Sequence, residues 1–178
     1  NYGVRTSSFT VDNPDQRIVV GTNGGFLHMF NNDDGQEDWA FFPKELAPVL
    51  NLRRENAFSS QHVYGIDATA VTWTLDLNRD GNLKEADGDK VYLYFGLRRG
   101  GRILYAMDIS NPDDPELLWR VDADSSGFAE LGQTWSVPVV TRIPGYRDDN
   151  GIPKPVLVFG AGYDPDKDSQ EIATADTM

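Results

Sequence analysis

The stretch that decides the fold is Lys90-Val-Tyr-Leu-Tyr-Phe-Gly96, followed closely by Gly101-Arg-Ile-Leu-Tyr-Ala-Met-Asp108. Both segments are rich in β-branched and aromatic residues, which favour strands, and glycines at their facing ends favour a tight turn. The same order occurs earlier, where Arg17-Ile-Val-Val-Gly21 precedes Gly24-Gly-Phe-Leu-His-Met-Phe-Asn31. This repeat of two strands and a short turn predicts an antiparallel β protein.

Each copy of the repeat continues with an acidic turn and a tryptophan, Trp39 in the first and Trp119 in the second. A third copy starts at Pro155-Val-Leu-Val-Phe-Gly160, with residues 131–140 as its inner strand. One such unit cannot cover both of its apolar faces, so neighbouring units must stack, as the blades of a β-propeller do. We therefore predict an all-β fold, a partial β-propeller of about two and a half blades, each a four-stranded antiparallel meander.

Residues 1–178 are predicted to form a single partial propeller domain with an insertion at residues 76–87. Propellers typically have four to eight blades, so the remaining blades are expected beyond Met178. The chain begins at Asn1 without an initiator methionine or a signal peptide, which indicates a piece of something longer.

Three shorter segments carry local predictions. Residues 43–56 have apolar positions separated by charged ones, which favours a short helix or turn docked by apolar contacts, with Pro48 limiting its length. Residues 61–67 and 69–75 are expected to pair as a hairpin. The run Asp148-Asp-Asn-Gly151 is typical of a hairpin turn.

The insertion has the spacing of a calcium loop. In Asp76-Leu-Asn-Arg-Asp-Gly-Asn-Leu-Lys-Glu-Ala-Asp87, oxygen-bearing side chains occupy positions 1, 3 and 5, glycine position 6, and an acid position 12. Calcium takes six to eight oxygen ligands at about 2.3–2.6 Å, and a glycine at position 6 permits the sharp turn that gathers them. The predicted ligands are Asp76, Asn78, Asp80, the backbone carbonyl of Asn82, and Asp87, with water in place of Lys84.

The flanks of this loop distinguish it from a helix-opening calcium sensor. Residues 70–75 and 91–95 both have strand-like sequence, so the loop is expected to connect strands. The alternative interpretation is a solvated acidic turn without an ion. A second cation loop is a weaker prediction for Asp164, Asp166 and Asp168, because this run lacks the glycine and Pro165 restricts it.

The composition excludes several classes of protein. The 178 residues are 39% hydrophobic and 25% charged, with a net charge of -12, so phosphate backbones and anionic lipids are repelled and no nucleic-acid partner is expected. The absence of cysteine excludes a disulfide scaffold and a thiolate metal site. No apolar run approaches the roughly 18 residues of a membrane span, so none is predicted.

From residue 17 to residue 164 the chain resembles the β-propeller domain of the PilC/PilY family of type IV pilus tip-associated proteins. The order and number of matching segments carry the resemblance, which rests on Val19-Val-Gly-Thr-Asn-Gly-Gly-Phe-Leu-His-Met-Phe30, Gly35 with Pro43, Arg99-Gly-Gly-Arg-Ile-Leu-Tyr-Ala-Met-Asp108, Asn111-Pro-Asp-Asp-Pro-Glu-Leu-Leu-Trp119, Leu131-Gly-Gln-Thr-Trp-Ser-Val-Pro138 and Val158-Phe-Gly-Ala-Gly-Tyr-Asp164. One departure is that the family's regulatory loop usually has Asp at its ninth position, where this chain has Lys84.

The resemblance implies a calcium-binding module of a pilus assembly and adhesion protein that supports pilus biogenesis, surface attachment and twitching motility. It implies export through the periplasm and outer membrane to the cell surface or pilus tip. The implied partners are minor pilins and other pilus components, the remaining blades, and a host or surface receptor. It implies no enzymatic activity.

Two alternatives remain open at this point. Blades with the pattern Gly-x-Leu-x-Ala-x-Asp also occur in quinone-dependent dehydrogenases, and a non-catalytic envelope scaffold would share the fold. No catalytic residues are predicted, because nothing places a base beside Ser59, Ser60 or Ser136. The four tryptophans are expected to pack between blades or to form an aromatic binding face. The basic run Arg98-Arg-Gly-Gly-Arg102 is predicted to be a blade turn or a partner contact.

Overall fold

A computed structural model describes residues 1–55 and 62–164. These residues form three antiparallel sheets, which confirms the predicted β class with antiparallel pairing. The strands are β1 (Arg17–Gly21), β2 (Leu27–Asn31) and β3 (Glu37–Phe41) in the first sheet, β4 (Val71–Leu75), β5 (Lys90–Gly96), β6 (Ile103–Asp108) and β7 (Glu116–Asp122) in the second, and β8 (Val139–Arg147) and β9 (Pro153–Val158) in the third. Within each sheet, strands that follow one another in sequence are neighbours.

The predicted repeat is present in the strand pairing itself. Met29 of β2 lies opposite Trp39 of β3, and Ala106 of β6 lies opposite Trp119 of β7. In both sheets the register shifts directly after this pair, between Met29 and Phe30 and between Ala106 and Met107. Such a bulge increases the local twist of the sheet. The two copies therefore share a bulge and a tryptophan at the same step of the ladder.

The prediction of four-stranded meanders is met only by the second sheet. Among the described residues, the first sheet has three strands and the third has two. The predicted inner strand at residues 131–140 is mostly irregular, and strand β8 begins only at Val139. Its backbone bonds go to loops instead: Gly132 and Gln133 donate to the carbonyls of Ala161 and Tyr163.

The predicted hairpin between residues 61–67 and 69–75 is wrong for its described part. β4 pairs with β5, so its partner comes from the far side of the loop at residues 76–87. The N–H of Ile66 donates to Thr22 and that of Asp67 to Leu97, so residues 62–67 are tied to the turns of the first two sheets. Residue 61 lies outside the described residues.

The first and second sheets share one apolar core. Phe95 of β5 and Tyr105 of β6 are stacked at a ring-centre distance of 5.0 Å, and Phe41 of β3 meets both edge-on. Leu27 and Met29 of β2 are fully buried in the same cluster. Because side chains alternate along a strand, only one face of the second sheet contributes to this core.

The opposite face of the second sheet packs against the third sheet. Trp73, Leu75 and Tyr94 are buried there, and Val140 of β8 and Leu157 of β9 pack against them. The second sheet is therefore covered on both faces, as expected for the middle member of a stacked array.

The turn prediction is confirmed, and so is the helix within residues 43–55, but Pro48 lies in the first turn of the helix, where proline is tolerated, and does not limit its length. A 3-10 helix at Lys44–Leu46 leads into helix α1 (Ala47–Glu55), where residues 43–56 were expected to be helical. The turn between β8 and β9 is closed by Asp148, whose carbonyl accepts the N–H of Gly151. No described helix is long and apolar enough to cross a membrane.

The N-terminal segment binds the first two sheets together. The Tyr2 hydroxyl donates to the carbonyl of Ile109, and the Tyr2 N–H donates to the carbonyl of Asp15. Asp15 is buried and pairs with Arg5 and Arg17 at 2.8 and 2.7 Å. Residues before the first strand are therefore part of the packed structure, a role that their polar sequence did not predict.

Candidate calcium loop

Residues 76–87 connect β4 to β5, two adjacent antiparallel strands of the second sheet. The predicted placement of the insertion between strands is confirmed. Asp76 follows β4 directly, and the loop ends in a 3-10 helix at Glu85–Asp87 that is closed by Gly88 in the left-handed conformation. Both ends of the loop are therefore held by the same strand pair.

The oxygen-bearing side chains of the first half turn toward the loop backbone. The Asp76 carboxylate accepts the N–H groups of Arg79 and Gly81 at 2.6 and 2.8 Å. Asn78 Oδ1 accepts the Asp80 N–H at 3.0 Å, and Asn78 Nδ2 donates to Asp80 Oδ2 at 3.3 Å. Positions 1, 3 and 5 are thus brought into one compact turn, which Gly81 permits with a φ of 80°.

The exposed Asp80 carboxylate is kept ionised by its hydrogen bonds. The N–H of Asn82 donates to Asp80 Oδ1 at 2.7 Å, and this bond is the main cause that lowers the pKa of Asp80. Hydrogen bonds to a charged carboxylate favour its charged form. Asp80 therefore presents a negative charge suited to a cation.

The second half of the loop is held by the N-terminal segment. Asn82 Oδ1 accepts the N–H of Val4 at 2.6 Å, and the N–H of Leu83 donates to the carbonyl of Tyr2 at 2.8 Å. The backbones approach closely, since a Cβ at Gly3 would lie 2.6 Å from the carbonyl oxygen of Gly81. This arrangement leaves the Asn82 side chain occupied, so only its backbone carbonyl corresponds to the predicted ligand.

Asp87 is exposed and lies on the 3-10 helix that ends the loop. Within residues 1–55 and 62–164, no three His, Asp or Glu side chains converge as a metal-binding group. Ligation by Asp87, like calcium binding itself, stays a prediction. In the predicted second cation run, Asp166 and Asp168 lie outside the described residues, so that site also stays a prediction.

Asp89 is the residue of this region that the sequence reasoning missed. Its side chain is buried, with Oδ1 accepting the N–H of Leu77 at 2.8 Å and Oδ2 accepting the N–H of Lys84 at 3.0 Å. One carboxylate thereby joins the two ends of the loop. The available signal was an acid between Gly88 and the apolar strand β5, because an acid beside a buried strand needs partners.

We expect Asp89→Ala to lower the free energy of unfolding by about 2 kcal/mol, because two partly buried N–H groups lose their acceptor. Asp87→Ala is the matched control, since it removes the same charge from an exposed position of the same loop. Urea unfolding with EDTA present measures the free energy of unfolding of both variants without any contribution from calcium. Equal costs for the two variants would mean that Asp89 does not hold the loop.

The chain is similar to known proteins of one kind. No protein-family model matches the chain. The type IV pilus biogenesis factor PilY1 of Pseudomonas aeruginosa strain UCBPP-PA14 is 34% identical over 177 residues, which cover 99% of this chain and 14% of that protein. This chain is homologous to a segment of PilY1. A PilY1 homolog of Xylella fastidiosa strain Temecula1 is 30% identical over 131 residues, covering 70% of this chain and 9% of the relative.

The solved structure of the Pseudomonas aeruginosa PilY1 C-terminal domain has a matching fold. It superposes with a TM-score of 0.57 and 27% identity, over 88% of this chain and 27% of that structure. The predicted resemblance to the PilY family is confirmed, whereas the propeller architecture and calcium binding stay predictions. The chain spans a small part of the PilY1 proteins it matches, 14% and 9% of their lengths.

Proposed function

We propose that this chain is a calcium-binding module of a type IV pilus biogenesis protein, which supports pilus assembly, surface attachment and twitching motility. The observation that carries the proposal is the 34% identity to PilY1, a type IV pilus biogenesis factor, over 99% of the chain. The proposed location is the cell surface or pilus tip, and the proposed partners are minor pilins and other pilus components.

The three sheets are proposed to be successive blades of a β-propeller. Support comes from the repeated bulge and tryptophan in the first two sheets and from the burial of the second sheet on both faces. Apolar side chains stay exposed on β1, where Ile18 is 46% exposed, and on β8, where Val139 is 64% exposed. Such positions suit contact with further blades.

The loop at residues 76–87 is proposed to bind calcium. Asp76, Asn78, Asp80 and the carbonyl of Asn82 are oxygen donors of the kind that a hard cation takes, and the first three already share one turn. A bound ion would offset the repulsion between clustered carboxylates. Extracellular calcium modules commonly bind at about 10⁻⁴–10⁻³ M, so we propose a site that is filled outside the cell.

Calorimetric titration with calcium tests this site. We expect the wild-type chain to bind and Asp76→Ala with Asp80→Ala to lose binding, because two of the charged donors are gone. The matched control is Asp33→Ala with Asp34→Ala, which removes two acids from another exposed turn and should bind as the wild type does. Equal binding by all three proteins would show that residues 76–87 are only an acidic turn.

The pilus role needs a separate measurement in the organism that encodes the chain. In-frame deletion of the coding region for residues 1–178 is expected to reduce surface pili and the twitching zone, with recovery on complementation. Normal piliation and twitching in the deletion strain would leave an envelope scaffold as the better interpretation.

A further inference from the structure

A pair of arginines stands on the turn between β5 and β6. The guanidinium groups of Arg98 and Arg99 lie over the Trp135 ring, 4.8 and 5.3 Å from its centre. Arg99 also lies over Tyr64 and pairs with Asp67 at 3.1 Å. Trp135 is 39% exposed, so it lies at the surface and does not pack between blades, which was one of the two predictions for the tryptophans. Its ring makes cation–π contacts with both arginines.

Apart from the Trp135 ring, the guanidinium of Arg98 has no hydrogen-bond or carboxylate partner in the part of the chain that the structure describes. Its side chain makes no hydrogen bond or ion pair there, and its Nε is buried without an acceptor. Arg5, Arg17 and Arg120, by contrast, all pair with carboxylates. An arginine normally finds an acceptor when its donors leave water. The guanidinium of Arg98 therefore has N–H donors that a group outside the described chain can accept.

The backbone at Arg98 is held in a conformation that favours glycine. Its φ is +54°, and the turn is held by the buried Thr134, whose Oγ1 accepts the N–H groups of Leu97 and Arg98 at 2.9 and 3.1 Å. Glycine would adopt this conformation without steric cost. Strain of this kind is found at functional positions. Its presence at Arg98 points to a role for the side chain.

Arg98 and Trp135 line a small cavity of about 50 Å³, whose other walls include Thr69 and Ser136. A cavity of this size has room for at least one small polar group. Beside it Val137 is 50% exposed, which provides apolar surface for the chain that carries such a group.

We propose that this arginine–tryptophan pocket, lined by Arg98, Trp135, Thr69 and Ser136, binds an Asp or Glu side chain in an acidic segment of a partner protein. A carboxylate matches the planar donors of Arg98 in size and charge. The proposal does not depend on calcium or on the pilus role.

The test uses fluorescence anisotropy with a fluorescein-labelled peptide of six glutamates and a matched peptide of six glutamines, with EDTA present. We expect the whole chain to bind the glutamate peptide and not the glutamine peptide. Arg98→Gly should weaken binding about tenfold, because a charge-assisted bond is lost while the backbone conformation is kept. Arg79→Gly is the matched control: it removes the same charge from another residue with positive φ, and should change binding by less than about twofold.

Three results would overturn the proposal. If Arg98→Gly and Arg79→Gly weaken binding of the glutamate peptide equally, the effect comes from net charge alone. Equal binding of both peptides would remove the requirement for a carboxylate. Binding to phosphatidylglycerol vesicles that is lost in Arg98→Gly, without binding to the glutamate peptide, would assign the surface to a membrane.

Discussion

Replacing Phe95 by alanine is expected to lower the free energy of unfolding by about 3–5 kcal/mol, the range for emptying a buried aromatic site. The Phe95 side chain is fully buried, stacked on Tyr105 at 5.0 Å and in edge contact with Phe41 at 6.0 Å between ring centres. Because these rings come from the first and second sheets, the cavity would open where the sheets join. Urea unfolding followed by far-ultraviolet circular dichroism measures the change.

Tyr146→Ala is the control for Phe95→Ala. Tyr146 is 49% exposed on β8, so the same kind of truncation should cost less than about 1 kcal/mol. A loss below about 1 kcal/mol for Phe95→Ala would mean that the first and second sheets do not depend on this contact for stability.

Replacing Asp15 by alanine is expected to lower the free energy of unfolding by about 3 kcal/mol, because it leaves the largely buried Arg17 without one of the carboxylates that pair with it. The Asp15 side chain is 1% exposed and the Arg17 side chain 7%. Burial lowers the pKa of Arg17, but its bonds to Asp15 and Asp38 outweigh this and raise the pKa overall. Arg5 also loses its shorter ion pair, at 2.8 Å, in this variant.

Asp113→Ala is the control, because it removes a carboxylate of the same ion-pair network from an exposed position. Asp113 pairs with Arg5 at 3.1 Å, but its side chain is 60% exposed, so its loss should cost less than about 1 kcal/mol. Chemical unfolding of both variants at one pH gives the comparison. An equal loss of unfolding free energy in the two variants would mean that the ion pairs of Asp15 contribute no more than an exposed one. Asp15 would then not tie the N-terminal segment to the first sheet.

The elements predicted from the sequence are those whose cause is local. Strands β1, β2, β5 and β6 follow from apolar and β-branched runs bounded by glycine, and the hairpin turn from Asp148-Asp-Asn-Gly151. The loop at residues 76–87 follows from alternate oxygen-bearing residues and one glycine. In each case, neighbours in the chain supply the backbone bonds and the side-chain periodicity, so a short window contains the information.

The failed and missed predictions share a different physical cause. Residues 131–140 have a strand-like sequence, yet Thr134 is used to hold the turn before β6, 36 residues away from Arg98. Residues 62–67 bond to turns of two sheets, where a local hairpin was expected. Trp135, for which packing between blades or an exposed aromatic face was expected, lies at the surface under two arginines. These outcomes depend on which distant donors and acceptors meet, which no local pattern encodes.

By itself the sequence determined the β class, the repeat, the position of the candidate calcium loop and the resemblance to the pilus family, since each rests on spacing along the chain. Only the tertiary structure decided that Asp89 closes the loop, that the N-terminal segment holds its second half, and that Arg98 lies over Trp135 without a carboxylate partner among the described residues. The reason is that burial and hydrogen-bond partnership are properties of contacts between distant residues, and those contacts exist only once the sheets have packed.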